Sequence, residues 1–162
     1  MPLVSATPFS HPLTDRRQSD RALRVRRGVQ LMMSEKGFAV LPELSLANGR
    51  RADLAGLSKD GRIWIIEIKS SVEDMRADNK WQDYLEFCDA FAFASLPEVP
   101  RTIFPAATGF IVADHFGAEI IDPPLEGKPL SAARRKAVTL RFARAASQRL
   151  MAAEWAAADK TV

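Results

Sequence analysis

The sequence predicts a single α/β domain, a mixed β-sheet flanked by helices, and three observations carry that prediction. Apolar residues recur at helical spacing near both ends of the chain: Ala22, Val25, Val29 and Met32 or Met33 in one stretch, Phe142, Ala143, Ala146, Leu150 and Ala153 in another. Between them lie short apolar runs bounded by turn residues, the mark of buried strands. The 162 residues, 47% of them hydrophobic, suffice for one well-filled core and are short for two.

Residues 1–13, with their prolines and small side chains, read as a loose arm, residues 14–158 as the domain, and residues 159–162 as a tail. A helix is expected from Thr14 or Ser19 to Lys36, with Gly37 placed to end it. Its other faces carry Arg16, Arg17, Arg21, Arg24, Arg26 and Arg27, with few acidic residues nearby. They fit either a solvated surface or one that contacts phosphates. Phe38 to Leu46 alternates and ends at Asn48-Gly49, a turn signal, so it is the first strand. Glu43 within it reads as an edge-strand charge facing water.

Arg50 to Ser70 reads as two further strands joined by a tight turn at Asp60-Gly61. Asp53, Glu67 and Lys69 interrupt its apolar pattern, and ionised groups in a core strand cost several kcal/mol unless paired or bound to metal. Alternation puts Ile63, Ile65, Glu67 and Lys69 on one face and Trp64, Ile66 and Ile68 on the other. A two-residue loop would set Asp53 opposite Ile68. A three-residue loop, Lys59-Asp60-Gly61 with Gly61 left-handed, sets it opposite Glu67, with Cβ atoms about 5 Å apart. Two carboxylates so placed repel unless a divalent cation sits between them.

Ser70 to Asn79 is polar, lacks apolar periodicity and reads as a loop. Lys80 to Cys88 reads as a short helix with Trp81, Tyr84, Leu85 and Cys88 on one face, suited to core packing or to stacking on an exposed base. Asp89 to Ser95 is a strand whose Phe91 and Phe93 point one way, with alanines between them where a helix can lie close. A proline-containing loop over Leu96 to Pro105 leads to a buried strand at Gly109–Ala113 and a short one at Glu119–Asp122. Pro123 to Pro129 reads as a linker. From Ser131, a suitable N-cap, a long helix runs to about Ala157, with Arg134, Arg141 and Arg144 gathered on a face that could join the first arginine face in a groove.

Composition limits the function classes. The net charge of +3 is mildly basic, compatible with nucleic acid without requiring it. One cysteine, Cys88, excludes an internal disulfide and suits a reducing cytoplasm. Two histidines, His11 and His115, make no zinc constellation. There is no phosphate-binding glycine loop or nucleophile signature, no secretory signal in the first residues, and no run long enough to span a membrane.

Asp53 and Glu67 on adjacent strands, with Lys69 beyond the Glu, resemble the PD-(D/E)xK nuclease superfamily, with Ala52 in place of the proline of its name. The strings RRAD, EIKSS, KWQDYLEFCDAFAFA and GFIVAD, spread from about Ser19 to the last helix, resemble the MmcB-like DNA-repair family within it. The resemblance implies a restriction-endonuclease-like core, with Asp53, Glu67 and the backbone carbonyl of Ile68 holding the metal and Lys69 completing the catalytic set. Hard oxygen ligands favour Mg²⁺ or Mn²⁺. It further implies DNA as substrate, a repair setting, and possible repair-protein partners. Related nucleases often add an acidic residue, for which Glu43 and Glu35 compete, and carry a helix residue beside the metal, where Gln82 falls. The candidate DNA contacts are Arg24, Arg27, Arg51, Lys80, Arg134 and Arg141. A non-catalytic DNA-binding or scaffold protein on the same fold is the alternative.

Overall fold

In the computed structural model, which describes residues 19–161, Ser19 caps helix α1 (Asp20–Glu35) by accepting the Ala22 N–H at 3.2 Å. The arm at 1–13, the Thr14 start of the helix, Arg16 and Arg17 lie outside the described residues. Val25, Val29, Met32 and Met33 are buried as their spacing requires, and Gly37, at φ +85°, ends the helix. Arg26 is also buried, so it leaves the exposed arginine face that the sequence suggests.

Three antiparallel strands follow, β1 (Ala39–Ser45), β2 (Arg51–Leu57) and β3 (Ile63–Ile68). Strand β4 (Ala90–Ser95) runs parallel to β3, β5 (Gly109–Ala113) parallel to β4, and β6 (Ala118–Asp122) antiparallel to β5. The order across the sheet is β1-β2-β3-β4-β5-β6. This is a mixed, helix-flanked α/β architecture, as the sequence predicts.

One face, with Gly56, Trp64 and the alanines of β4, is covered by α1; a Cβ on Gly56 would strike Met33 at 2.2 Å. α1 also lies tightly against the β5–β6 turn, where a Cβ on Gly28 would come within 2.2 Å of the Asp114 carbonyl oxygen. On the other face Phe91 and Phe93 carry Trp81 and Tyr84, with Trp81 and Phe91 stacked at 5.5 Å. The Tyr84 hydroxyl donates to the Arg51 carbonyl at 3.1 Å, so both rings take the core role rather than a base-stacking one. Helix α3 (Ala132–Asp159), capped by Ser131, packs against β1 and the Trp81–Phe87 segment. Burial drives the Cys88 thiol up to about 12, so it is inert at neutral pH.

The structure corrects several readings. The stretch read as a loop contains α2 (Val72–Ala77), one short helix capped by Ser71, whose single buried residue, Met75, leaves no period to read. The Trp81–Phe87 helix is a 3-10 helix, and its three-residue period aligns Trp81, Tyr84 and Phe87. The linker after Pro123 contributes β7 (Leu125–Glu126), because β5 meets β4 only from Ala92 onward and leaves Ala90 and Phe91 to pair with it. The inward side of α3 is Val138, Phe142, Ala145 and Ala146, while Ala143, Leu150 and Ala153 are exposed. Among the described residues no helix is long and apolar enough to cross a membrane.

Candidate active site

The β2–β3 turn sets the site. The Ser58 N–H donates to the Arg62 carbonyl at 2.9 Å around a three-residue loop, with Gly61 at φ +85°. The ladder then pairs Leu57 with Ile63 through Leu54 with Ile66, and one step further Asp53 stands opposite Glu67. There side chains replace backbone partners. The Asp53 N–H donates to Glu67 Oε1 at 3.0 Å, and the Ile68 N–H donates to Asp53 Oδ2 at 2.8 Å.

Both carboxyls are poor anions in this setting. Burial raises the Asp53 pKa, outweighing the Ile68 N–H and Lys69, which act to lower it. Burial, then the neighbouring Asp53, holds Glu67 well above the usual carboxylate range. Lys69 Nζ lies 2.9 Å from Asp78 Oδ2. Burial works against the ammonium, but Asp78, with Glu67 and Asp53, more than offsets it and raises its pKa. Asp78, where burial is outweighed by Lys69 and the Lys80 N–H, is held below its usual value.

Glu43 belongs to the same row. The β1–β2 register passes from Pro42 with Leu54 to Leu44 with Ala52, which places Glu43 across from Asp53. It is buried, and its backbone is left-handed at φ +53°. Arg149 of α3 donates to the Pro42 carbonyl and, at 2.7 Å, to that of Glu43. Arg51 Nη1 lies 3.6 Å from the Glu43 carboxylate. Arg26 adds buried positive charge from α1; burial lowers its pKa against the opposing pull of Glu43 and Asp53. The sequence thus misses Arg26, Arg149 and Asp78. For the two arginines a signal existed: Arg26 stands in helical repeat with Ala22, Val29 and Met33, and Arg149 with Val138, Phe142 and Ala145. Asp78 had none.

Of the two opposed carboxylates, Glu67 lines a cleft of about 490 Å³ with Lys69, Asp78, Tyr84, Arg50 and Lys80, and Asp53 stands behind it. Among the described residues no three His, Cys, Asp or Glu side chains are placed to hold a metal ion. A cation here would rest on Asp53 and Glu67, the Ile68 carbonyl and water. That donor set fits Mg²⁺ or Mn²⁺, since such ions keep several waters and take one or two carboxylates. Each carboxylate retains one oxygen beyond the one bonded to a backbone N–H, and a cation would relieve the charge that burial penalises.

Other candidates lie elsewhere. Glu35 lines a recess with Met32, Lys36 and β6, so Glu43 is the acidic residue brought to Asp53. Gln82 lines a recess beside the cleft rather than the cleft itself. Arg24, Arg27 and Arg141 are exposed, while Arg134 lies over the Phe87 ring at 4.6 Å. α1 lies on one face of the sheet and α3 packs on the 3-10 helix of the other, so their arginines do not line one groove.

A family model described as DNA repair protein MmcB-like matches residues 9–157. Among solved structures, a protein of unknown function from Silicibacter pomeroyi is 40% identical and superposes with a TM-score of 0.80, covering 85% of this chain and 93% of that one. A repair endonuclease from Pyrococcus abyssi is 18% identical with a TM-score of 0.31, covering 44% of this chain and 34% of that one, an overlap too slight to carry an argument. No protein of curated function matches the chain.

Proposed function

The chain belongs to the MmcB-like DNA repair protein family, and on that premise we propose that it hydrolyses DNA phosphodiester bonds at the Asp53–Glu67–Lys69 cleft with a bound Mg²⁺ or Mn²⁺. The observation that carries the reading is the register. It opposes the buried Glu67 carboxyl to the half-buried Asp53 carboxyl, both disfavoured as anions, with Glu67 and Lys69 lining an open cleft. Such a cation, when bound, polarises the scissile phosphate and acidifies a water.

The chain's own groups do the rest. Asp53 and Glu67 supply the hard oxygens, and the Ile68 and Asp53 N–H groups fix their orientation. Lys69 presents a positive charge at the same face, where it orients the attacking water or stabilises charge developing on phosphate. Asp78 holds that ammonium protonated and in place.

A non-catalytic DNA-binding scaffold is the second reading. In its favour, Lys69 is already engaged by Asp78 and both carboxyls by backbone N–H groups. Cleavage of single-stranded, duplex, flapped and branched DNAs with Mg²⁺ or Mn²⁺ separates the two. The nuclease cuts at least one substrate, and loses that activity in Glu67→Gln and Lys69→Met while DNA binding persists. Cutting undiminished in Glu67→Gln would sink the mechanism, and no metal-dependent cutting by the wild type would leave the scaffold.

A further inference from the structure

The cleft does not end at Lys80. A second recess of about 580 Å³ adjoins it and shares Arg50 and Lys80 as its wall. It is otherwise lined by Asn48 and Gly49 of the β1–β2 turn and by Gln82, Asp83 and Glu86 of the 3-10 helix, with no apolar side chain among them. A pocket without apolar lining does not suit an apolar ligand, which binds by burying surface. It suits a polar, charged chain passing through.

Its charge is ordered. Arg50 and Lys80 stand on the side nearest Glu67 and Lys69, since they alone line both recesses. Asp83 and Glu86 line the outer recess only. Arg50 Nε and Nη2 both donate to Asp83 Oδ2, at 3.0 and 2.9 Å. That pair is 33% and 49% exposed, so it contributes about 1 kcal/mol at most and yields readily to a stronger anion. The turn itself is held independently. Asn48 Nδ2 donates to the Asp83 carbonyl, and Asn48 Oδ1 accepts from the Arg50 N–H, so releasing the Arg50 side chain leaves the wall standing. Lys80 is tied by its N–H to Asp78, the residue that holds Lys69.

We propose that this recess is a subsite for the nucleotide flanking the scissile bond, with Arg50 and Lys80 binding its phosphate and Asp83 occupying Arg50 until DNA arrives. The subsite rests on the nuclease reading, which it deepens by naming where the strand runs. Asp83 therefore competes with the ligand, and this sets the proposal apart from a structural ion pair.

The test is fluorescence anisotropy with a labelled single-stranded oligonucleotide in EDTA, where cutting plays no part, with thermal melts to establish folding. Arg50→Ala and Lys80→Ala should each weaken binding about tenfold. Each should also flatten the plot of log affinity against log salt by about 0.7. Arg50→Lys should restore the salt slope and only part of the affinity. Asp83→Asn should tighten binding by about two- to fivefold. Unchanged affinity in folded Arg50→Ala and Lys80→Ala, or weaker binding in Asp83→Asn, overturns the subsite. A wild type that binds this oligonucleotide through Arg50 and Lys80 yet cuts no DNA defeats the nuclease reading and leaves the recess as a phosphate-binding site alone. Loss of cutting in Glu67→Gln, with binding indifferent to Arg50 and Lys80, does the reverse.

Discussion

Glu67→Gln should stabilise the metal-free protein. Directly opposed carboxylates with Cβ atoms about 5 Å apart repel by about 3 kcal/mol at an effective dielectric of about 20. Gln keeps an oxygen for the Asp53 N–H and gives up an attraction to Lys69. The net gain should be about 1–2 kcal/mol, or about 3–6 °C in Tm for a chain of this size. The sign follows from linkage. The folded-state pKa of Glu67 lies above its usual 4.5, so its stabilising contribution is present below that value and lost as pH rises through the folded pKa. Metal-free wild type should therefore gain stability as pH falls from neutral toward about 5, and the variant should follow a flatter curve. Asp78 and Asp89 act in the opposite sense, but their pKa values are lowered and their contributions disappear only in stronger acid. Thermal melts in EDTA across that range test this, and Mg²⁺ should then raise the wild-type Tm and not that of the variant. A variant melting at or below the wild type in EDTA, or a wild type that does not gain on acidification, would refute the argument.

Two further predictions concern the frame. Asp89 receives both Arg135 Nη groups at 2.7 Å and the Ile63 N–H at 2.8 Å, so Asp89→Ala should cost about 2–3 kcal/mol by urea titration, less at acid pH where the wild type loses the pair. Gly28→Ala puts a methyl against the Asp114 and Gly117 carbonyls at 2.2 and 2.3 Å, and should cost about 2–3 kcal/mol or more by the same assay.

The β2–β3 hairpin was legible because two independent signals agree on one register. Gly61 admits the left-handed loop, and only that loop brings Asp53 to Glu67. The helices at both ends were legible from their period, but their inward arginines were not. Their spacing puts Arg26 and Arg149 on the inward faces, but residue type argues for surface, and the buried oxygen-rich surroundings that each reaches exist only in the folded sheet. β7 and α2 escaped for another reason. The two-residue strand owes its existence to partners far along the chain, Ala90 and Phe91, and the six-residue helix has only its Ser71 cap and one buried residue, Met75, to mark it. The proposed joining of the two arginine faces failed because charge clustering along a helix says nothing of which side of the sheet the helix takes.

Glu43 bears on the choice between catalyst and scaffold. A left-handed non-glycine residue costs about 1–2 kcal/mol, and here it stands in an edge strand with its carboxylate buried. Arg149 offsets part of that cost through the Pro42 and Glu43 carbonyls, and Arg26 and Arg51 supply opposite charge. The row Glu43–Asp53–Glu67 is thus held from both sides of the sheet, by α1 and by α3. A scaffold that binds DNA through exposed arginines needs none of this, since relieving the row would leave those outer faces intact. The proposed hydrolysis would draw on it, because a cation and the lysine beside it would act best where the oxygens are fixed before the substrate arrives. The arrangement is thus one that the proposed hydrolysis, and not DNA binding by the outer faces, would use.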